Sequence, residues 1–167
     1  MNEENFRRAL AFTLSWEGGW SNNSTDPGRE TYCGISRRYW PDWPGWWWVD
    51  DARATFQGPN AKLLNAKLLE EPYSARLRPM VEEFYRLNFW NATAAANMPW
   101  PACLCFFDIA VRHGAKRAEE FFLDGGRECW HGMVIANACF LIKRWREADV
   151  QGHLNRLAAL VDEAKRL

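Results

Sequence analysis

The 167-residue chain has no excess of charge of either sign, with 21 Lys and Arg set against 21 Asp and Glu. That balance removes the electrostatic case for nucleic acid or an anionic membrane surface as partner. No apolar run approaches the ~20 residues needed to cross a bilayer. The five cysteines (Cys33, Cys103, Cys105, Cys129 and Cys139) are odd in number and lack zinc-finger spacing. Cys103-Leu104-Cys105 has one intervening residue where metal knuckles and redox motifs want two. A disulfide framework and a structural metal are both disfavoured, and the cysteines read as small buried apolar residues made in a reducing compartment. His113, His131 and His153 stand singly in the sequence, so no metal and no cofactor is assigned. The amino terminus, MNEENFRRAL, lacks the basic segment, apolar run and small-residue cleavage site of a signal peptide. The chain therefore reads as synthesised in the cytoplasm, and action elsewhere would need release or export by another component.

What is present is a globular composition, 48% hydrophobic and 25% charged, in a length that suits one domain. Tryptophan is abundant, at 11 residues, and unevenly spread. Helical periodicity dominates. Residues 3–17 read as a helix stopped by Gly18-Gly19. From Trp20 to Gly34 the chain is polar and rich in turn formers, able to hold a short irregular hairpin but too polar for core. Prolines and glycine break the Trp-rich stretch 36–49, and helices follow at about 51–57, 60–70 and 74–90, with Pro79 marking a new first turn. Asn91–Pro101 reads as a loop. Ala102–His113 is a strongly apolar helix closed by Gly114, and helices over 115–123, 128–146 and 150–166 complete a mainly α, single-domain chain. The near-continuous apolar run within 128–146 reads first as a buried core helix, with a partner surface or membrane disturbance as the alternatives, and it is too short for a span.

Chemistry gathers around Glu17. A carboxylic acid that donates a proton near neutral pH needs its charged form disfavoured, which apolar neighbours and a nearby helix carboxyl end both do. Glu17 lies between Trp16 and two glycines, with Trp20 beyond. Asp26 follows nine positions later and Thr31 five further on, in a segment that can fold back toward the helix end. An acid, a second carboxylate and a hydroxyl suit glycosidic hydrolysis: Glu17 protonates the leaving oxygen, Asp26 activates or orients a water, and Thr31 helps hold it. Asp-Pro-Gly is equally an ordinary turn signature, so Asp26 has a structural reading too. Trp20 and Tyr32 flank this group as sugar contacts.

The run from Glu17 through Asp26-Pro27-Gly28 to Thr31-Tyr32-Cys33-Gly34-Ile35-Ser36 resembles the signature of glycoside hydrolase family 108, the bacterial and phage N-acetylmuramidases, with E-G-G-aromatic, D-P-G and T-x-x-G-I-[ST]. Its Glu, Asp and Thr spacing is also similar to the triad of phage-type lysozymes, which differs by one residue at the threonine. A second block, Phe89-Trp90 with Phe107-Asp108-Ile109-Ala110-Val111 and Gly114, is similar to the family's FW…FDxAVxxG segment. The resemblance covers roughly residues 5–125, while 126–167 diverge and lack a traceable peptidoglycan-binding segment. Arg29 stands where the family usually has Gly, adding a cation able to pair with Glu30 or Asp26, and Arg112-His113 replace a small polar pair.

The resemblance implies a lysozyme-like fold with one irregular active-site loop, a peptidoglycan glycan strand as partner, and cleavage between N-acetylmuramic acid and N-acetylglucosamine. It implies action on the bacterial wall, either as a phage or prophage endolysin released through a holin or alongside a secretion machinery. Two rivals share the fold: a lytic transglycosylase, which needs a single acid/base glutamate, and a glycan-binding or assembly protein without turnover. The tryptophans of 40–48 have the flat faces to stack against sugar rings, but most read as core or rim packing, with one or two exposed to the cleft. Asp108 reads as a structural carboxylate bonded to a backbone N–H or to the cleft-shaping loop, and Cys33, without a histidine partner, as no nucleophile.

Overall fold

The computed structural model describes residues 2–23, 28–56, 60–125, 129–143 and 150–166. The chain is mainly α, as expected. Among the described residues it forms eight α-helices: α1 (Asn2–Trp16), α2 (Gly45–Thr55), α3 (Ala61–Leu68), α4 (Tyr73–Tyr85), α5 (Ala102–His113), α6 (Ala115–Asp124), α7 (Trp130–Lys143) and α8 (Val150–Ala164). Between α1 and α2 lies an antiparallel sheet in the order β1 (Trp20–Asn22), β2 (Glu30–Tyr32), β3 (Ile35–Ser36). The chain divides into two compact units, one of residues 14–84 and one of residues 1–13 with 85–167.

The unit of residues 14–84 carries the sheet, α2 and α3. Its core is aromatic: Tyr32 stacks on Trp43 with centroids 6.2 Å apart, and Trp43 meets Trp46 edge-on at 5.2 Å and Phe84 at 6.4 Å. The polar segment is thus not all surface, since Tyr32 is buried, as are Ile35 and Ser36 just beyond it. α2 begins at Gly45, six residues before the periodicity predicts. Pro44 and Gly45 lie at the cap and first turn, where a missing N–H costs nothing, and Trp46, Val49 and Ala52 bury one face. Pro79 does not start a helix; it lies inside α4. It and Ala75, whose carbonyl it leaves unbonded, are both exposed, so water can satisfy that oxygen.

The other unit is built on α5, where every residue from Cys103 to Ala110 is buried. Phe6, Trp90 and Phe107 form a ring cluster with centroid separations of 5.4, 5.6 and 6.2 Å. A π-helical turn, Arg86–Trp90, seats Trp90 there, and a 3₁₀ turn, Ala94–Asn97, interrupts the expected loop. α7 is only partly core. Met133, Asn137 and Leu141 are buried, whereas Ile135 and Ile142 are 62% and 59% exposed, because one stripe of an apolar helix suffices to fill the space beside it. All five cysteines are free, as the sequence indicates, but Cys129 and Cys139 are exposed rather than buried.

Candidate active site

Glu17 follows the last residue of α1 and is half-buried, while its neighbour Trp16 is 40% exposed. The backbone then turns into β1, and Asn65 of α3 fixes the turn. The Asn65 side chain accepts from the Trp20 N–H through Oδ1 and donates to the Trp20 carbonyl through Nδ2 at 2.9 Å. A Cβ on Gly19 would come within 2.3 Å of Asn65 Oδ1, so only glycine admits the clamp so close to the main chain.

β2 and β3 are joined by Cys33-Gly34, with φ of 48° and 78°. Positive φ at both central residues is the requirement of a type I′ turn, the two-residue loop whose twist matches a hairpin. The Cys33 N–H donates back to the Gly19 carbonyl at 3.3 Å, closing the hairpin onto the segment just after Glu17.

The register sorts the predicted site residues by face. Thr31 pairs with Ser21 on one side and Ser36 on the other, which puts three hydroxyl side chains in a row across the sheet. Trp20 and Tyr32 pair with each other and occupy the opposite face. Tyr32 is 6% exposed and spent on packing against Trp43, so the sheet turns Thr31 and Tyr32 to different sides. Asp26 lies outside the described residues.

Sequence reasoning missed the charged frame behind Trp20. Glu30 accepts from the Trp20 indole N–H at 2.9 Å and from Arg53 at 3.2 Å, and it forms an ion pair with Arg37 at 3.0 Å. Arg37 also makes a two-pronged bond to Asp50 at 2.8 and 3.0 Å, and Arg53 reaches Asp50 at 3.1 Å. Two carboxylates and two guanidiniums thus tie β2 to α2, and Glu30 draws on Arg37 and Arg53 where the sequence offered Arg29. The only advance signal was Glu30 lying one residue before Thr31; its arginines are 7 and 23 positions away.

Burial pushes the Cys33 thiol up to about 11, and the nearby Glu17 carboxylate adds to this against a hydrogen bond from Tyr32. A thiol so raised stays protonated near neutral pH. Burial also raises Tyr32, with Cys33 adding and Arg78 opposing. Among the described residues no group of three or more His, Cys, Asp or Glu could hold a metal ion.

The family model described as Glycosyl hydrolase 108 matches residues 10–114, well over half of the chain, and spans Glu17, the sheet and α5. The chain belongs to the glycosyl hydrolase 108 family. It is a glycoside hydrolase, and at family level one that acts on peptidoglycan. No curated protein and no solved structure matches it.

Asp108, in the matched segment, is fully buried and structural. Its partners are side chains, not the backbone N–H or loop expected: Arg156 Nη2 at 2.7 Å and Nε at 3.1 Å, Thr13 Oγ1 at 3.1 Å, and Arg112 at 3.7 Å. An arginine satisfies a buried carboxylate's charge as well as its lone pairs, which an N–H cannot. His113 and His153, apart in sequence, are neighbours in space, with ring centroids 6.2 Å apart.

Proposed function

We propose that this hydrolase cleaves the glycan strand of peptidoglycan between N-acetylmuramic acid and N-acetylglucosamine, with Glu17 as general acid. The observation that carries the reading is the double anchoring of the chain just after Glu17. Asn65 holds Trp20 from one side, and the Cys33 N–H holds Gly19 from the other. An acid on so fixed a segment can be aimed at one glycosidic oxygen, and fixed geometry is what acid catalysis needs first.

In this scheme the Glu17 carboxyl gives its proton to the glycosidic oxygen as the bond to the anomeric carbon breaks. Asp26 takes a proton from a water, and the Thr31 hydroxyl holds that water as it attacks the same carbon from the opposite face, inverting its configuration. Trp20 offers its indole to a sugar ring, and Tyr32 supports the strand from beneath. No cofactor enters. Reaching the wall requires release through a holin or passage alongside a secretion machinery.

The test is digestion of purified peptidoglycan with mass spectrometry of the fragments. The expected products carry reducing muramic acid ends, and Glu17→Gln should slow their release by about 10²- to 10⁴-fold. A Glu17→Gln variant as active as the wild type would sink the assignment. Products with 1,6-anhydro ends would make the chain a transglycosylase, and no fragments at all would make it a glycan-binding protein.

A further inference from the structure

The aromatic-rich segment before and within α2 faces outward as well as inward. Trp43 and Trp46 are buried, but Trp47 is 62% exposed. A large ring left in water forgoes the free energy that its burial would yield, so the fold itself gains little from Trp47. The ring is nevertheless held in place. It meets Trp48 edge-to-face with centroids 4.5 Å apart and planes at 86°. Trp48 in turn meets Tyr73 at 6.4 Å and 80°, and the Arg76 guanidinium lies 5.6 Å over its ring. The Tyr73 hydroxyl donates to Asp51 at 2.8 Å.

The border of this patch is charged. Asp50 and Asp51 fall three and four positions after Trp47, hence on its side of α2. Asp50 is fixed by Arg37 and Arg53, the same arginines that hold Glu30 beside the candidate active site. A braced, open indole edged by carboxylates and a guanidinium fits a pyranose: the C–H face stacks on the ring, and hydroxyl or N-acetyl groups bond to the border. A protein or lipid partner would call instead for a broad apolar patch.

We propose that Trp47, braced by Trp48, is a stacking platform for a sugar ring of the peptidoglycan strand, additional to the site at Glu17. The proposal rests on the peptidoglycan-hydrolase reading above, and its substrate class follows from it. The platform would hold the insoluble polymer in contact with the enzyme from one cleavage to the next.

Binding to purified insoluble peptidoglycan sacculi tests it, with every variant built on Glu17→Gln to suppress digestion. Trp47→Ala should weaken binding by roughly 3- to 10-fold, the range expected for one lost ring-stacking contact. Trp47→Phe should retain most of the binding, and Leu69→Ala, a change at an equally exposed apolar residue of the same unit, should retain all of it. Thermal melts verify that each variant is folded. Unchanged binding by Trp47→Ala would overturn the platform, as would a Phe variant as weak as the Ala one or an equal loss in Leu69→Ala. The hydrolase reading fails by a different result, namely no fragments released from sacculi by the chain with Glu17 intact.

Discussion

Asn65 grips Trp20 by both ends of its side-chain amide, taking the main-chain N–H on one oxygen and giving its own N–H to the main-chain carbonyl. A helix thereby acts as an extra strand for the residue that opens β1. Because the Gly19 Cα sits against the same amide, two sequence positions 46 residues apart form one device.

That device predicts non-additivity. Asn65→Ala leaves the Trp20 N–H and carbonyl without this partner and should cost about 1–3 kcal/mol. Gly19→Ala drives the Asn65 side chain away and should cost a similar amount by breaking the same two bonds. The double variant should then lose much less than the sum, measured by urea unfolding. Strict additivity would show that Gly19 and Asn65 act separately.

Thr31 and Tyr32 should fail in different ways. Thr31→Ala leaves the aromatic core untouched, so it is expected to cut the rate of peptidoglycan cleavage by roughly tenfold or more, below the ~10²- to 10⁴-fold of a group that transfers a proton, because Thr31 is proposed only to hold the water. Its melting temperature should stay near that of the wild type. Tyr32→Ala empties a buried ring site beside Trp43 and should cost about 3–5 kcal/mol. Calorimetry and the cleavage assay on the same two proteins separate these outcomes, and a destabilised Thr31→Ala would count against its catalytic role.

Asp108→Asn should be among the more damaging conservative changes. It removes the counter-charge of Arg156 and Arg112 inside the fold while keeping the shape, and a broken buried pair costs about 3–5 kcal/mol. In a chain of this length that lowers the melting temperature by roughly 10 °C. A melting curve unchanged by the substitution would mean that the arginines find other partners.

His113 gives the fold an acid-sensitive side. Burial, then Arg112 and His153, holds it down at about 4 from an ordinary 6.5; Arg117 adds to this, and the neighbouring Asn137 amide opposes it. Above pH 6.5 the imidazole is neutral folded or unfolded and contributes no slope. Between about 6.5 and 4 the unfolded chain takes a proton that the native state resists, so stability falls as pH falls, by up to about 3 kcal/mol. His113→Phe should flatten that part of the melting temperature profile, and an identical slope in the variant would locate the sensitivity elsewhere.

Much of the helical frame was legible because it is written locally. Apolar spacing and a following glycine bound α5, and two glycines stop α1. The hairpin was legible as a cluster of turn formers, but its register was not, since only pairing decides that Thr31 and Tyr32 take opposite faces. Most partners of Trp20, Glu30 and Asp108 lie 7 to 95 positions from them, where no periodicity reaches, and only Arg112, four residues after Asp108, falls within a helical turn. Pro79 and the early start of α2 misled for the opposite reason: local rules for proline are strict only where the lost bond is buried. Glu17, the proposed acid, was visible from its motif, while the clamp just after it was not.

The Cys33-Gly34 turn also acts as a ruler for chain length. With two residues in the loop, one inserted there would rotate Ile35 and Ser36 to the wrong sides of the sheet. Between Asn22 and Glu30, by contrast, seven residues intervene. Length can therefore change on the Glu17 side of Thr31 without disturbing which face Thr31 occupies, but not on the Ser36 side.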